Sequence, residues 1–434
     1  MEAEMDVPSC CHSAPPNETA NSLLLPSAEM PPKLPLPRWR PRTALGLAGR
    51  GVLMWALVLG GLRAFVVQAE HCGNPTPERM RSAAEGAIGW LTRNQHDDGS
   101  WLYRYDRDTD APVEGYNLAR HAGVSMSLEQ AANAGFEQAA LVGERGIEWA
   151  VDHLYDGPGW RAFAKPGPRI ATGPSGLITA AMVYRRDRTG DTTYDGVMHE
   201  LAAFMVAMVN ERGQVYGYWD TRHEEPVPES WSKYFTGEVF FALALMERTF
   251  PGEGYGDVAS RIADYIAFER DDAEHLHQGL PDHWAGYGLA AMTTWPGYMI
   301  PHEYETYLRQ QAGLQGLQIR YESQRTNSLF SYLTRGRQTL GSGLGTIGEE
   351  LAQLSTVART MPELDDIVRP LAERARCTAG ALIDRQVGPD DVDADDDPDR
   401  VLGAWFQFDV TQMDDEQHSL SALLGAMALE GQQR

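Results

Sequence analysis

The feature that most constrains this chain is an alternation of two kinds of helix. Residues 79–94 place Met80, Ala83, Ala84, Ala87, Ile88 and Leu91 on one stripe, and 194–209 do the same with Val197, Met198, Leu201, Phe204, Met205 and Met208. Spacings of three and four predict amphipathic helices with one wet face. By contrast GLITAAMVY (176–184), GEVFFALALM (237–246), GYGLAAM (286–292) and SLSALLGAMAL (419–429) are apolar on nearly every side. A helix of that kind has to be enclosed by others. The two kinds pair along the chain as 79–94 with 117–134, 139–154 with 173–186, and 193–211 with 234–249. They continue as 255–270 with 283–295, 302–325 with 344–360, and 363–386 with 414–430. Six hairpins, each with a wet outer member and an enclosed inner one, predict an all-α (α/α)6 toroid over 70–434. No strand-like alternation of useful length interrupts them.

The connections differ in the same rhythm. Inner-to-outer links are short and turn-like, such as 187–192 (DRTGDT), 295–298 (WPGY) and 361–364 (MPEL). Most outer-to-inner links are long: 98–116, 156–174, 212–237 and 387–415. Long loops in a compact domain usually carry function. In a ring of hairpins every inner helix starts at the same end, so these loops gather at one mouth, and the site is expected there.

The segment AAEGAIGWLTRNQHDDGSW resembles the QW-type repeat of terpenoid cyclases, with Trp90, Gln95, Gly99 and Trp101 at matching places. The alternating helices also resemble the six-hairpin glycosidases and their relatives, the polysaccharide lyases and sugar epimerases. The resemblance covers 79–430 as architecture. It implies an (α/α)6 toroid, a glycan or other polymer or small-molecule substrate, and no particular catalytic motif. Only one QW-like unit is present, where a terpenoid cyclase has several.

The inner helices start with unusually polar residues. Asn117, Ser175, Thr236, Asp282, Thr346 and Asp414 read as helix caps. Capping does not account for Arg120, His121, Glu238, His283, Glu349, Asp415 and His418, which lie inside helices too apolar to offer them water. Buried charge needs a partner. Such groups either pair with one another, for example Arg120 with Glu238, or line a polar cavity. Glu238 and Asp415 are the candidate carboxylate pair for a glycosidic bond, with roughly 6.5–9.5 Å between them for inversion or about 5–5.5 Å for retention. His121, His283 and Tyr116 are the candidate acids or bases for a lyase or epimerase step. Arg120, at a helix N-terminus, suits a uronate carboxylate. Asn117, Trp101, Trp219, Trp231, Tyr234, Tyr287, Trp405 and His418 complete the expected substrate-binding set, because sugar faces stack on aromatic rings. An apolar polyisoprenoid is the alternative occupant, and a non-catalytic binding or scaffold protein is the third reading.

The run DDVDADDD (390–397) contains DADD, the pattern of the class II terpenoid cyclase acid. Its flanking Pro389 and Pro398 and its charge favour a solvated loop. No zinc-site spacing occurs, and no metal or cofactor is expected. The net charge of -24 argues against a nucleic-acid partner.

Residues 1–43 are rich in Pro and Ser and read as a disordered leader carrying Cys10 and Cys11. Over 44–69 follows GVLMWALVLGG, bounded by Arg50 and Arg63, with further basic residues upstream. Basic-then-apolar order predicts a signal peptide cleaved near Ala69 or a retained signal-anchor, either of which puts 70–434 outside the cytoplasm. Cys72 and Cys377 follow this segment and can pair in an oxidising compartment.

Overall fold

The computed structural model describes residues 41–66, 68–274, 282–339 and 341–431. Most of the leader expected over 1–43, with Cys10 and Cys11, lies outside them. The chain divides into two units, Met1–Gly61 and Leu62–Arg434. Helix α1 (Pro41–Phe65) begins slightly before its expected start at residue 44. Its stretch Gly46–Phe65 is long and apolar enough to cross a membrane.

The larger unit is an (α/α)6 toroid. Its outer helices are α2 (Pro77–Arg93), α4 (Gln138–Asp152), α6 (Asp195–Ala207), α8 (Tyr255–Phe268), α11 (Glu305–Glu322) and α14 (Asp365–Arg385). Its inner helices are α3 (Leu118–Asn133), α5 (Gly173–Thr189), α7 (Phe235–Thr249), α10 (His283–Met292), α13 (Gly341–Ala358) and α16 (Met413–Gly431). Short helices α9 (Arg270–Ala273), α12 (Leu329–Arg335) and α15 (Pro398–Val401) lie in the connections. The inner helices touch in the cycle α3–α5–α7–α10–α13–α16–α3, which closes the ring. Burial follows the sequence pattern. Every residue of α10 is buried, whereas α8 buries only one stripe, Val258, Ala259, Ile262, Ala263, Tyr265 and Ile266.

The long loops are not free strings. Short antiparallel strands tie them together at the mouth. β1 (Arg104–Asp106), from the first hairpin, pairs with β2 (Ala111–Pro112) and with β8 (Val410–Gln412) from the last, Tyr105 facing Thr411. β3 (Leu154–Gly157) pairs with β4 (Trp160–Phe163). β5 (Arg169–Ala171) pairs with β6 (Tyr218–Asp220), joining the second and third loops, and β6 pairs with β7 (Glu225–Pro226). These strands are too short for alternation to reveal them in sequence.

The QW-like unit is a turn at the end of an outer helix. Gly99, at φ +93°, closes it against the carbonyl of Arg145 in α4, where a Cβ would collide. Trp101 Nε1 donates to the Leu91 carbonyl, and Gln95 Nε2 donates to the Val142 carbonyl. The third hairpin repeats the turn: Val209 bridges Val215 as Gln95 bridges Trp101, and Gly213, at φ +88°, abuts the Arg261 carbonyl of α8. Cys72 and Cys377 form a disulfide that fixes the segment ahead of α2 to α14.

Candidate functional site

Three consecutive inner helices bring together the central group. His283 opens α10, Glu349 lies two turns into α13, and His418 lies in the second turn of α16. His418 Nδ1 is 2.7 Å from Glu349 Oε2, and Tyr287 Oη donates to Glu349 Oε1 at 3.0 Å. His283 Nε2 stands 3.7 Å from the same Oε2, too far for a hydrogen bond, and is buried with no hydrogen-bond partner. The imidazole rings of His283 and His418 meet edge to face at 5.1 Å.

Their environments set the two histidines apart. Burial, and then the nearby charges of His418 and Lys233, push His283 well below the usual histidine range. Burial also opposes charge on His418, but Glu349 overcomes it and holds His418 above that range. Burial raises Glu349, with His418 acting against it. The trio therefore sets an imidazole that favours its neutral form beside one that favours its charged form, with Glu349 next to both. The arrangement supplies one base and one acid. One ligand atom from each of His283, Glu349 and His418 lies within 4.8 Å of the others, a spacing that could hold a metal ion. A cation would have to replace the His418–Glu349 hydrogen bond, whereas proton exchange uses it as it stands.

Glu238 sits one helix further round, buried in the first turn of α7. Its Oε2 has no hydrogen-bond partner and lies against Gly173, where any Cβ would collide with it. Burial, and then the charge of Asp282, raise it well above the carboxylate range. Asp282 does not cap α10 through its side chain. It accepts from Gly237 N at 2.9 Å and from Arg270 Nη1 at 2.7 Å, and Arg270 also binds Glu274. Tyr234 leans over His283 at 5.8 Å between ring centres and stays partly exposed, and Trp231 is exposed near it in the chain.

Other expected residues are placed elsewhere. Asp415 is buried, and its carboxylate accepts from Ser342 N at 2.8 Å and Gln412 N at 3.2 Å. It thus caps the start of α13, and capping does account for it. Burial and Asp414 raise it to about 7. Arg120 pairs with Asp414 at 3.1 Å and donates to Tyr103 Oη and Gln412, so the expected Arg120–Glu238 pair does not form. Asn117 is the N-cap of α3, accepting from the backbone of Ala119 and Arg120.

His121 faces away from His283's group, towards α4. It is fully buried, bonded to Tyr116 Oη at 2.7 Å and to the Gly146 carbonyl at 2.8 Å, and enclosed by Trp101, Trp149 and Phe163. Burial depresses it to about 3. In that environment both ring nitrogens of His121 are bonded within the protein. Three tryptophans are likewise packing residues. Trp219 is buried against Trp160, and Trp405 is buried with Nε1 on the Leu382 carbonyl. Trp101 is buried too, although with Tyr116 it backs a cavity of about 710 Å³ between the first and second loops, which Lys165 and Arg400 also line. The DADD pattern is a surface feature: Asp395 is exposed, and Asp396 accepts from Arg107 Nε at 2.7 Å. No inward acid of the terpenoid-cyclase kind forms there.

Glu349 was legible as an unexplained buried charge but not as the group between two histidines. Glu350, raised to about 8 by burial and bonded to Gln315, carried no sequence signal.

No family model and no curated sequence matches the chain. Solved structures do. The chain is similar to a cellobiose 2-epimerase from Spirochaeta thermophila, at 13% identity over 83% of this chain and 99% of that one, with a TM-score of 0.56. It is similar to an unsaturated glucuronyl hydrolase specific for heparin, at 13% identity over 82% and 99%, with a TM-score of 0.56. It is also similar to a GH76 α-mannanase from Bacteroides thetaiotaomicron, at 8% identity over 82% and 97%, with a TM-score of 0.53. At these identities the likeness establishes the six-hairpin toroid fold.

Proposed function

We propose that this chain is a sugar-transforming enzyme that moves a proton at a carbon beside a carbonyl, as in epimerisation or isomerisation. The observation that carries the reading is the pair of histidines on either side of Glu349, one bonded to it at 2.7 Å and the other buried without a bond at 3.7 Å. In an open-chain sugar, His283 Nε2 takes the proton from C2, the C–H electron pair becomes the C1–C2 double bond, and the carbonyl π pair moves onto O1. The imidazolium of His418 stabilises or protonates the resulting oxygen. Return of a proton to the opposite face of C2, as O1 gives its proton back to His418, yields the epimer; return of a proton to C1, as the C2 hydroxyl gives up its own, yields the ketose. Glu349 keeps His418 charged and oriented, and Tyr287 holds Glu349. Tyr234 supplies a ring face beside His283. A cellobiose 2-epimerase is among the similar structures, and such an activity is compatible with this scaffold.

The test is proton NMR in deuterium oxide with a panel of reducing sugars, cellobiose and mannose included. Deuterium should enter C2 and a new epimer or ketose should appear. Cleavage of a glycosidic bond without deuterium uptake would replace this reading with a hydrolytic one. The unpartnered Glu238 carboxyl favours that second reading as a general acid. Asp415, bound to two backbone amides, does not supply its partner.

The toroid is further proposed to stand outside the cytoplasm on a retained α1 anchor. Support comes from the basic residues ahead of the apolar run, the Cys72–Cys377 disulfide, and the bonds that follow the helix. The Phe65 carbonyl accepts from Arg335, and Glu70 pairs with Arg374. A segment built into the domain in this way is a poor site for removal. A reporter active only in the cytoplasm, fused after Arg434, should stay silent.

A further inference from the structure

Helix α12 is inside out. In water a surface helix turns its polar residues outward. Here Ser331 and Arg335 are buried, while Leu329, Phe330, Tyr332 and Leu333 are half or more exposed. The inverted orientation is fixed by bonds. Ser328 Oγ caps the helix at Ser331 N, Ser331 Oγ accepts from Thr326 N at 2.8 Å, and Arg335 Nη1 donates to the Phe65 carbonyl at 2.6 Å. Gln68 Nε2 adds a bond to Thr334 Oγ1 at 3.1 Å.

Phe65 is the last residue of the apolar run Gly46–Phe65. The exposed apolar face is therefore one hydrogen bond from the point where the chain leaves α1. Charge is unusual here as well. Residues 323–338 carry Arg325, Arg335 and Arg337 and no Asp or Glu, in a chain of net charge -24. Arg337 is exposed and lies 4.2 Å from the ring centre of Phe408, itself exposed. Arg335 is held on the Phe65 carbonyl and Arg325 pairs with Glu322, so Arg337 is the exposed cation at the edge of this face. The face matches a phospholipid surface, with acyl chains under the leucines and a phosphate on the Arg337 guanidinium.

We infer that α12, with Phe408 beside it, rests in the headgroup layer of the bilayer that holds α1. The inference depends on the retained anchor proposed above. Gln407 Nε2 bonds the Gln338 carbonyl, so the rim loop that leads to His418 borders the same strip.

Nitroxide labels on the full chain in phosphatidylcholine–phosphatidylglycerol vesicles test it. Cys10 and Cys11 are replaced by Ser, and single labels are placed by Leu333→Cys, Leu57→Cys and Leu141→Cys. All three positions are exposed in the protein. Collision with oxygen reports acyl chains, and collision with a nickel chelate reports water. The label at 333 should show an oxygen-to-nickel ratio raised severalfold over that at 141 and approaching that at 57. A ratio at 333 equal to that at 141 overturns the inference. Low collision with both reagents at 333 means a protein partner covers the face, and overturns it too. A label at 57 that behaves like 141 shows instead that the anchor reading has failed.

Discussion

His121 and His283 occupy nearly the same place in the sequence pattern, the opening turn of an inner helix, and have opposite fates. His121 looks outward to α4, where Tyr116 and the Gly146 carbonyl satisfy both its nitrogens and aromatic rings enclose it. His283 looks to the neighbouring inner helices, where its Nε2 is buried without a bond beside Glu349. Burial keeps both neutral, so depressed basicity does not distinguish them. The distinction is satisfaction. A fully bonded buried histidine is a structural joint, and an unbonded one facing an acid is available for chemistry.

The sharpest way to break that comparison is to remove each in turn. His283→Asn should lower turnover by about 10²–10⁴, with the melting temperature almost unchanged because Nε2 has no bond to lose. A large loss of stability with activity retained would reverse the assignment. His121→Leu should do the opposite. It removes two hydrogen bonds, although Tyr116 Oη still accepts from Trp101 N and the Gly146 carbonyl keeps its place in the α4 ladder, so the loss is about 0.5–1.5 kcal/mol for each bond. Chemical denaturation should read that loss, while turnover of the folded fraction stays near wild type.

The pH profile sharpens the comparison further. The reaction needs His283 neutral and His418 charged. Activity should therefore fall in acid, below the ordinary histidine range, and in base, above the raised value of His418. Each limb should fall about tenfold per pH unit. Glu349→Gln removes the carboxylate that raises His418, so the alkaline limb should move down by about 1–2 units. A limb that stays in place would mean that another group titrates.

The smallest expected effect concerns Glu238. Its folded value lies well above the carboxylate range, whereas the unfolded value is ordinary. Such a carboxyl costs no stability in acid and costs progressively more as pH rises past the unfolded value. Glu238→Gln should therefore match wild type near pH 4 and melt about 1–3 °C higher near pH 8. A lower melting temperature at pH 8 would show a hidden charge partner.

The terpenoid-like QW unit shows how partial legibility arises. Gln95, Gly99 and Trp101 are visible because the side chains themselves make the bonds. The same turn at Asn210 and Gly213 repeats the backbone bonds, His96 and Asn210 playing equivalent parts, but has Val209 and Val215 where the first has Gln95 and Trp101, and so leaves no QW pattern to read. The small sheets at the mouth escape for a related reason. Two- to four-residue strands pair within a loop, between neighbouring loops as Ile170 does with Trp219, or across nearly the whole chain as Tyr105 does with Thr411.

What the sequence by itself determined was the layering. Amphipathic helices with one apolar stripe could only be outer, and helices apolar all round could only be inner, so six alternating pairs dictate the ring. Rotation of the inner helices was left to the tertiary structure. A helix enclosed on every side has no preferred face, and its periodicity cannot say which first-turn residue looks to the axis. Packing against neighbours decided that His283, Glu349 and His418 would meet, that Asp415 would cap α13, and that His121 would turn to α4.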